Sequence, residues 1–182
     1  ECVNPIRSDE RNGLEEESIL NQLLVRNRQV YTDSLTKVFN RRYYDDRLEN
    51  ISGEYAVAMI DIDNFKDIND RFGHAAGDKA LYRTAMSICS VLRSNDELIR
   101  YGGDEFFLLL HGLPEQSLSR KLKDICTAVE NTDIAEYPGL KLSASIGGVC
   151  STGRIGDMLK KADEALYRAK EKHNCVVIFG ED

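Results

Sequence analysis

The stretch RYGGDEF at residues 100–106 decides how this chain folds, because short apolar runs stand on both sides of it. ELI (97–99) comes just before it and FLLL (107–110) follows it. Two glycines between apolar runs predict a β-hairpin, since glycine tolerates the positive φ that tight hairpin turns need. Asp104 and Glu105 then stand at the mouth of a strand, where carboxylates are costly to bury unpaired. The pair fits a divalent cation with its phosphates, and it also fits an ordinary polar hairpin tip.

Length and composition predict one domain with room for an appended segment. Hydrophobic residues make up 42% of the 182 residues, which is enough for an ordinary core. The net charge of −7 argues against a partner that is a nucleic acid polymer, because such binders need a basic face. A nucleotide substrate stays compatible with this charge, since Mg²⁺ and a few Lys or Arg side chains can neutralise phosphates locally.

The five cysteines predict a reducing compartment. They lack the short paired spacing of a zinc site, and an odd number argues against a complete disulfide framework. No apolar run approaches membrane-spanning length, and no signal peptide is visible. We therefore expect a cytoplasmic domain with no membrane segment in this part of the chain. Because the sequence begins at Glu1 without a methionine, we expect it to be a piece of a longer chain, and a membrane-bound bacterial sensor protein is one possible parent.

The N-terminal part predicts a linker followed by a helix. Residues 1–13 are polar and contain Pro5 and Gly13, whereas apolar residues recur at helical spacing from Leu14 to Tyr31. This helix is either packed on the domain or the end of a coiled-coil stalk. We therefore divide the chain into residues 1–31, a linker and N-terminal signalling helix, and residues 32–182, the main domain.

Residues 55–62 (YAVAMIDI) are the clearest strand, with an apolar run that suits a central strand covered on both faces. Asp61 and Asp63 at its end would share a face by strand alternation. The whole set of predicted elements comprises a helix ending near Asn50, strand 55–62, a short helix around 66–70, a helix ending near Arg93, hairpin strands 98–101 and 105–110, a helix opened by Pro114, strand 140–149, a helix over 155–169 and strand 175–179.

This order predicts an α/β fold (an α+β sandwich), with a central mixed, mostly antiparallel sheet flanked by helices. In the simplest topology the hairpin tip lies beside the carboxyl end of the 55–62 strand. Asp61 would then meet Asp104, with Glu105 nearby. Three carboxylates around one or two Mg²⁺ ions have the geometry that phosphoryl or nucleotidyl transfer needs.

Five motifs in a fixed order resemble the GGDEF family of diguanylate cyclases, which join two GTP molecules into cyclic di-GMP. The resemblance runs from about Asp33 to Phe179, and its motifs read DSLTKVFNRR, DIDNFKDINDRFGHAAGD, RSNDELIRYGGDEF, SASIGG and ADEALYRAK. Each is modest alone, but the set in this order is specific. The resemblance implies a palm-like, nucleotidyl-cyclase-like fold behind the N-terminal entry helix.

The resemblance also implies roles for individual residues. The metal ligands would be Asp61, the Ile62 carbonyl, Asp104 and Glu105, holding Mg²⁺ or Mn²⁺. Asn69 and Asp78 would read the guanine edge, although singly they also suit a helix end and a first-turn acid. Lys66 and Lys170 would contact phosphate, with Lys66 counted among the catalytic residues beside Asp104 and Glu105. Gly102 and Gly103 would let the substrate lie close over the turn.

The implied reaction is in-line attack by the 3′-hydroxyl of one GTP on the α-phosphate of another, with loss of pyrophosphate. Glu105 either ligates the metal or assists deprotonation. Each subunit would hold one GTP, so the partners implied are GTP, a second copy of the domain and an upstream sensor that controls the dimer.

Arg93 and Asp96 predict a second, inhibitory site for the product cyclic di-GMP. They form an RxxD motif five residues before Gly102, as in the family. An Arg fork suits guanine and phosphate, and Asp96 can accept from a base edge. Without that spacing, the two would be an ordinary helix-end Arg and turn Asp.

The sequence departs from the family after ALYRAK, where a Gly-Arg-Asn run is usual. Here Lys172-His173-Asn174 stands instead, and His173 takes the position of an Arg that contacts triphosphate. A His is mostly neutral near pH 7, which puts triphosphate affinity in question. Two alternatives to an active cyclase remain: a catalytically weak receptor for GTP or cyclic di-GMP, and a dimerisation module without ligand chemistry. A related alternative is a cyclase whose base pocket accepts ATP to give a hybrid dinucleotide, although Asn69 and Asp78 favour guanine.

Overall fold

The computed structural model describes residues 29–181, and over this range the chain builds one mixed sheet with helices on both faces. Residues 29–31 are helical, so nearly all of the predicted Leu14–Tyr31 helix lies outside the described residues. The elements that follow are β1 (Phe39–Asn40), α1 (Arg41–Tyr43) running into a π-helical turn (Tyr44–Leu48), β2 (Ser52–Ile62), α2 (Phe65–Phe72), α3 (His74–Ser90), β3 (Glu97–Arg100), β4 (Glu105–Leu110), α4 (Glu115–Glu130), β5 (Ala144–Arg154), α5 (Ile155–Lys170) and β6 (Val176–Ile178).

The strand order over residues 29–181 is β1-β3-β4-β2-β5-β6. The three inner pairings are antiparallel, and the two edge pairings, β1 with β3 and β5 with β6, are parallel. This confirms the predicted mixed, mostly antiparallel sheet flanked by helices. Strand β2 lies at the centre, between β4 and β5, so its carboxyl end meets the hairpin mouth on one side and the start of β5 on the other.

Two apolar cores fill the two faces of the sheet, because successive strand residues point to opposite faces. Ala58 and Ile60 of β2 join the core under α3 and α4. Val57 and Met59 join the core under α5, which also includes side chains of the π-helical turn. Asp61 continues the second set, so its side chain points toward the face that α5 covers.

Several element ends lie a residue or more from their predicted positions, and the three largest differences in the sheet are these. Strand β1 was not predicted: the turn-like segment before Arg41 contributes a two-residue edge strand. Strand β2 begins at Ser52 rather than Tyr55, because residues 52–54 pair with the end of β5. Strand β5 runs over Ala144–Arg154 rather than 140–149.

The shift of β5 has a simple cause. Leu140 and Leu142 alternate with polar residues because they are buried in the core, not because they belong to a strand. Ile62, the last residue of β2, pairs with Ala144, so residues 140–143 have no β2 partner beside them. Among the described residues, no helix combines the length and apolarity needed to cross a membrane.

Candidate catalytic site

The register between β2 and β4 places Asp61 directly opposite Glu105. Residues paired in this way carry their side chains on the same face of the sheet, within contact range of each other. Asp104 comes next to this pair, since its carbonyl accepts a hydrogen bond from the Ile62 amide at 3.3 Å. The structure therefore brings together all four predicted metal ligands at the mouth of the hairpin.

Lys170, at the last position of α5, adds a positive charge to this cluster. Its Nζ lies 2.7 Å from Oδ2 of Asp61, whose side chain is only 11% exposed. Burial raises the pKa of Asp61 to about 6; the Lys170 ammonium opposes the shift, and Asp104 and Glu105 add to it. Although burial works against it, the contact with Asp61 raises the pKa of Lys170 above its usual value. The carboxylates thus remain in excess over the single ammonium.

The donor set fits a divalent cation that is shared with a substrate. Over residues 29–181, no three His, Cys, Asp or Glu side chains converge into a preformed metal cage. Mg²⁺ is commonly held by one or two carboxylates together with substrate phosphates, and not by a complete protein cage. Burial is the main cause of the raised pKa of Asp61, and the charges of Asp104 and Glu105 add to it, so a cation bound here would favour the ionised carboxylate.

The hairpin turn differs from the expectation of glycines at positive φ. Neither Gly102 nor Gly103 is among the residues with positive φ, and the Tyr101 and Gly102 amides both donate to the Glu105 carbonyl. Gly102 matters for another reason, since a side chain there would displace the Glu105 carboxylate. A Cβ added there would lie 2.7 Å from Oε2 of Glu105, whereas a Cβ at Gly103 would meet nothing within 4 Å.

Arg100 holds this turn to the start of the domain. Its Nε and Nη2 donate to the Gly103 carbonyl at 3.2 and 2.8 Å. Its Nη1 lies 3.3 Å from Oδ1 of Asp33, which also accepts from the Thr36 amide and hydroxyl. We call this chain of contacts the Asp33–Arg100–Gly103 bridge. The sequence did not predict this bridge, although Asp33, Arg100 and Gly103 all lie inside the motifs quoted above.

The two predicted guanine-reading residues sit on neighbouring helices. Asn69 is in α2 and Asp78 is in α3, and Gly73, at a φ of 86°, makes the turn between these helices. The Asn69 side chain packs on α3 so closely that a Cβ on Gly77 would meet its Oδ1 at 2.0 Å. Asn69 therefore lies against the residue that precedes Asp78. Lys66 is exposed in the first turn of α2.

His173 contacts a carboxylate of the protein in this structure. Its Nδ1 lies 3.2 Å from Oδ1 of Asp63, a side chain that is 1% exposed. Asp63 also accepts from the hydroxyls of Ser143 and Ser145 at 2.8 and 2.6 Å and from the Asn174 amide at 2.8 Å. We call these contacts the Asp63 cluster. Sequence reasoning missed it as well, since its donors lie at least 80 residues away.

Arg93 and Asp96 line a surface cavity of about 280 Å³. Asp96 accepts a hydrogen bond from the Arg93 amide at 2.9 Å, which folds the RSND segment into a turn. Lys37, Phe39 and Cys89 line the same cavity. The walls therefore offer two cations, a carboxylate and an aromatic ring, which are groups that a guanine nucleotide can use.

Comparison with known proteins gives the same assignment from sequence and from structure. A family profile described as "Diguanylate cyclase, GGDEF domain" matches residues 30–175. Diguanylate cyclase DosC of Escherichia coli is 36% identical over 155 residues, which cover 79% of this chain and 34% of that protein. The chain therefore spans about a third of the length of this curated relative.

Two solved structures share the fold. Diguanylate cyclase SiaD of Pseudomonas aeruginosa, solved with its activator SiaC, has a TM-score of 0.81 at 29% identity, over 93% of this chain and 70% of that one. The coiled coil and GGDEF domain of DgcB from Caulobacter crescentus, solved with c-di-GMP, has a TM-score of 0.80 at 25% identity, over 93% and 96%. This chain belongs to the GGDEF domain family.

Proposed function

We propose that this chain is a diguanylate cyclase that converts two GTP molecules into one cyclic di-GMP and two pyrophosphates. One observation carries the proposal: Asp61 and Glu105 face each other across β2 and β4, with Asp104 and Lys170 beside them. This cluster suits nucleotidyl transfer, which depends on positioning and on charge stabilisation. Membership of the family and the names of the relatives support the same reaction.

A divalent cation, Mg²⁺ or Mn²⁺, held by Asp61, Asp104, Glu105 and the Ile62 carbonyl, would polarise the α-phosphate and lower the pKa of the attacking 3′-hydroxyl. Lys66 and Lys170 neutralise triphosphate oxygens. The oxygen of the 3′-hydroxyl forms the new P–O bond, and the bond between the α- and β-phosphates breaks. The hydroxyl proton passes to a carboxylate of the site or to solvent, and the pyrophosphate takes the electron pair.

Asn69 and Asp78 select guanine. Asp78 accepts hydrogen bonds from the guanine N1–H and amino group, and the Asn69 amide supplies complementary bonds. Adenine presents no N1–H donor, so the same pair disfavours ATP. The contact between Asn69 and the α3 backbone at Gly77 supports a fixed position for this side chain.

Catalysis requires two copies of the domain, because each copy holds one GTP and the product contains two nucleotides. An upstream sensor would act by bringing the two sites face to face. Contacts at the start of the domain support this role for the entry segment. Asn40 donates to the Val30 carbonyl at 2.8 Å, and the Tyr31 ring packs edge-on against Tyr43 at 5.6 Å.

Arg93 and Asp96 bind the product cyclic di-GMP and limit synthesis. The 280 Å³ cavity that they line, with Lys37 and Phe39 on its walls, supports this assignment. The cavity lies beyond the end of α3, and the carboxylates of the proposed catalytic site do not line it. Product can therefore bind there while substrate occupies the catalytic site.

The decisive experiment is incubation with GTP and Mg²⁺, followed by chromatography of the products, at several protein concentrations. We expect cyclic di-GMP from the wild-type chain, with a rate that rises faster than linearly with protein concentration, and none from Asp104→Ala. A linear dependence would contradict the dimer requirement. Retained GTP binding without product, at all concentrations and also in the full-length protein, would favour the receptor alternative.

A further inference from the structure

The segment after α5 is held in a strained reverse turn. His173 and Asn174 are consecutive residues with φ of 54° and 45°, in the left-handed region that non-glycine residues rarely adopt. Such conformations are unfavourable for residues that carry a Cβ, although His and Asn adopt them more readily than most, and they persist where the surroundings hold them. Something in the structure must therefore hold this turn.

The Asp63 carboxylate contacts both residues of this turn. It accepts from the Asn174 amide at 2.8 Å and contacts the His173 ring at 3.2 Å. The Ser143 and Ser145 hydroxyls donate to the same carboxylate and fix it against the strand side of the cluster. The Asp63 amide in turn donates to the Ser143 carbonyl at 2.9 Å, so the carboxylate has little freedom to move.

The strained turn is attached directly to the end of α5. The amides of Lys172 and His173 both donate to the Ala169 carbonyl at 3.1 Å, which closes the helix over its last turn. Lys170 is the residue that follows Ala169, and its ammonium reaches Asp61 at 2.7 Å. A group that fixes His173 and Asn174 therefore also fixes the last turn of α5 and the direction of Lys170.

We propose that Asp63 is a positioning residue for Lys170: through the turn at His173 and Asn174 it sets the last turn of α5 so that the Lys170 ammonium stays over the carboxylates of β2 and β4. The inference rests on the proposed function, in which that ammonium contacts the triphosphate. It gives His173 a place in the anchor of Lys170 that the family resemblance did not suggest.

A double-mutant cycle on nucleotide affinity tests this role. The probe is a GTP analogue with a methylene bridge between the α- and β-phosphates, which binds with Mg²⁺ but cannot release pyrophosphate. We expect Asp63→Asn and Lys170→Ala each to raise its Kd by about tenfold, as for residues that orient a binding group. The double variant should match Lys170→Ala alone, because Asp63 acts through that lysine. Additive losses near a hundredfold, or an unchanged Kd in Asp63→Asn, would overturn the inference.

Asp67→Asn is the matched control. It removes an exposed carboxylate from the same segment, and we expect the Kd of the analogue to stay within about twofold of wild type. If Asp63→Asn fails to fold, Ser145→Ala replaces it, since it removes the 2.6 Å donor and leaves the carboxylate in place. Ser145→Ala should raise the Kd of the analogue several-fold, and this effect should disappear when Lys170→Ala is also present. An effect that persists in the double variant would refute the positioning role.

The outcome remains distinguishable from failure of the proposed function. If the wild-type chain neither binds the analogue nor makes cyclic di-GMP, the proposed function fails. The positioning role is then judged by crystal structures of the wild type and Asp63→Asn. Loss of the contact between Lys170 Nζ and Asp61 in the variant supports the role, and a contact unchanged from 2.7 Å refutes it.

Discussion

Asp61 and Asp63 lie two residues apart at the same end of β2 and are both buried, yet their pKa values are shifted in opposite directions. Burial raises the pKa of Asp61 to about 6, and two nearby carboxylates add to the shift. Burial also acts on Asp63, but hydrogen bonds from Ser145, Asn174, Ser143 and His173 outweigh it and lower its pKa. One carboxylate is surrounded by donors, whereas the other is left with one ammonium among further acids.

The difference lies in the number of donors that each carboxylate receives. A carboxylate with several donors is stable as an anion and serves to hold chain segments together. A carboxylate with a single cationic partner and acidic neighbours gains from a further cation, which is the condition for a metal-dependent site. From this contrast we expect Asp61 to act at the proposed metal site and Asp63 to anchor chain segments.

The largest expected effect is on catalysis by Asp61. Asp61→Asn should lower the initial rate of cyclic di-GMP formation by at least about a hundredfold, because it removes a charged side chain from the proposed metal site, where such a ligand is worth several kcal/mol in the transition state. Asp67→Asn should leave the rate within about twofold. A rate loss in Asp63→Asn as large as that in Asp61→Asn would break the comparison.

The second effect is on stability. Asp63→Asn should lower the free energy of unfolding at pH 7 by about 2–3 kcal/mol, since it weakens several hydrogen bonds to a buried charge. Urea denaturation monitored by circular dichroism measures it. The folded pKa lies below the unfolded value of 3.8, so this stabilisation is present above pH 3.8 and is lost as the pH falls through the lower folded pKa. A loss that already disappears at pH 6 would contradict the assignment.

In metal-free protein, Asp61→Asn should raise the free energy of unfolding, whereas Asp63→Asn lowers it. The folded pKa of about 6 lies above the unfolded value of 3.8, so the folded state binds more protons between these values. The contribution of Asp61 to wild-type stability should therefore rise as the pH falls from 7 to 4, and it is measured as the difference between the wild type and Asp61→Asn. With EDTA at pH 8 the variant should be more stable than wild type by about 1–2 kcal/mol, a little less than the two-unit shift implies because Lys170 loses its partner. This gain in stability should shrink below pH 6. A gain that is the same at all pH values would contradict the raised pKa of Asp61 as its cause.

A glycine pair sharpens the comparison at the hairpin. Gly102→Ala places a Cβ 2.7 Å from Glu105 Oε2 and should push this carboxylate away from Asp61, with a rate loss of about tenfold. Gly103→Ala meets nothing within 4 Å and is the matched control. Equal losses in steady-state assays of the two variants would instead indicate that substrate lies close over the turn.

The smallest effect on the initial rate is expected at the product site. Arg93→Ala should leave the initial rate within about twofold and relieve inhibition by added cyclic di-GMP, because the Arg fork is a main contact to guanine or phosphate. Lys123→Ala, an exposed cation on α4, is the control and should stay inhibited. Unchanged inhibition by cyclic di-GMP in Arg93→Ala would contradict the assignment of Arg93 and Asp96 as the product site.

The sequence could predict what depends on local pattern. The hairpin follows from two apolar runs around the glycines, and the meeting of Asp61 with Asp104 and Glu105 follows from the simplest sheet order. The Asp63 cluster could not be predicted, because its four donors come from residues 143–174 and are assembled only by packing. The alternation at Leu140 and Leu142 wrongly predicted a strand, since leucines buried from a loop give the same pattern as a strand.

The Asp33–Arg100–Gly103 bridge also bears on how such domains can be recombined with new input modules. It connects the first residues of the domain to the GGDEF turn through a single guanidinium, and all of its atoms lie C-terminal to residue 32. A chimera joined before residue 29 retains this connection whatever module it carries. A joint placed after Asp33 would cut it and would leave the GGDEF turn without its outer support.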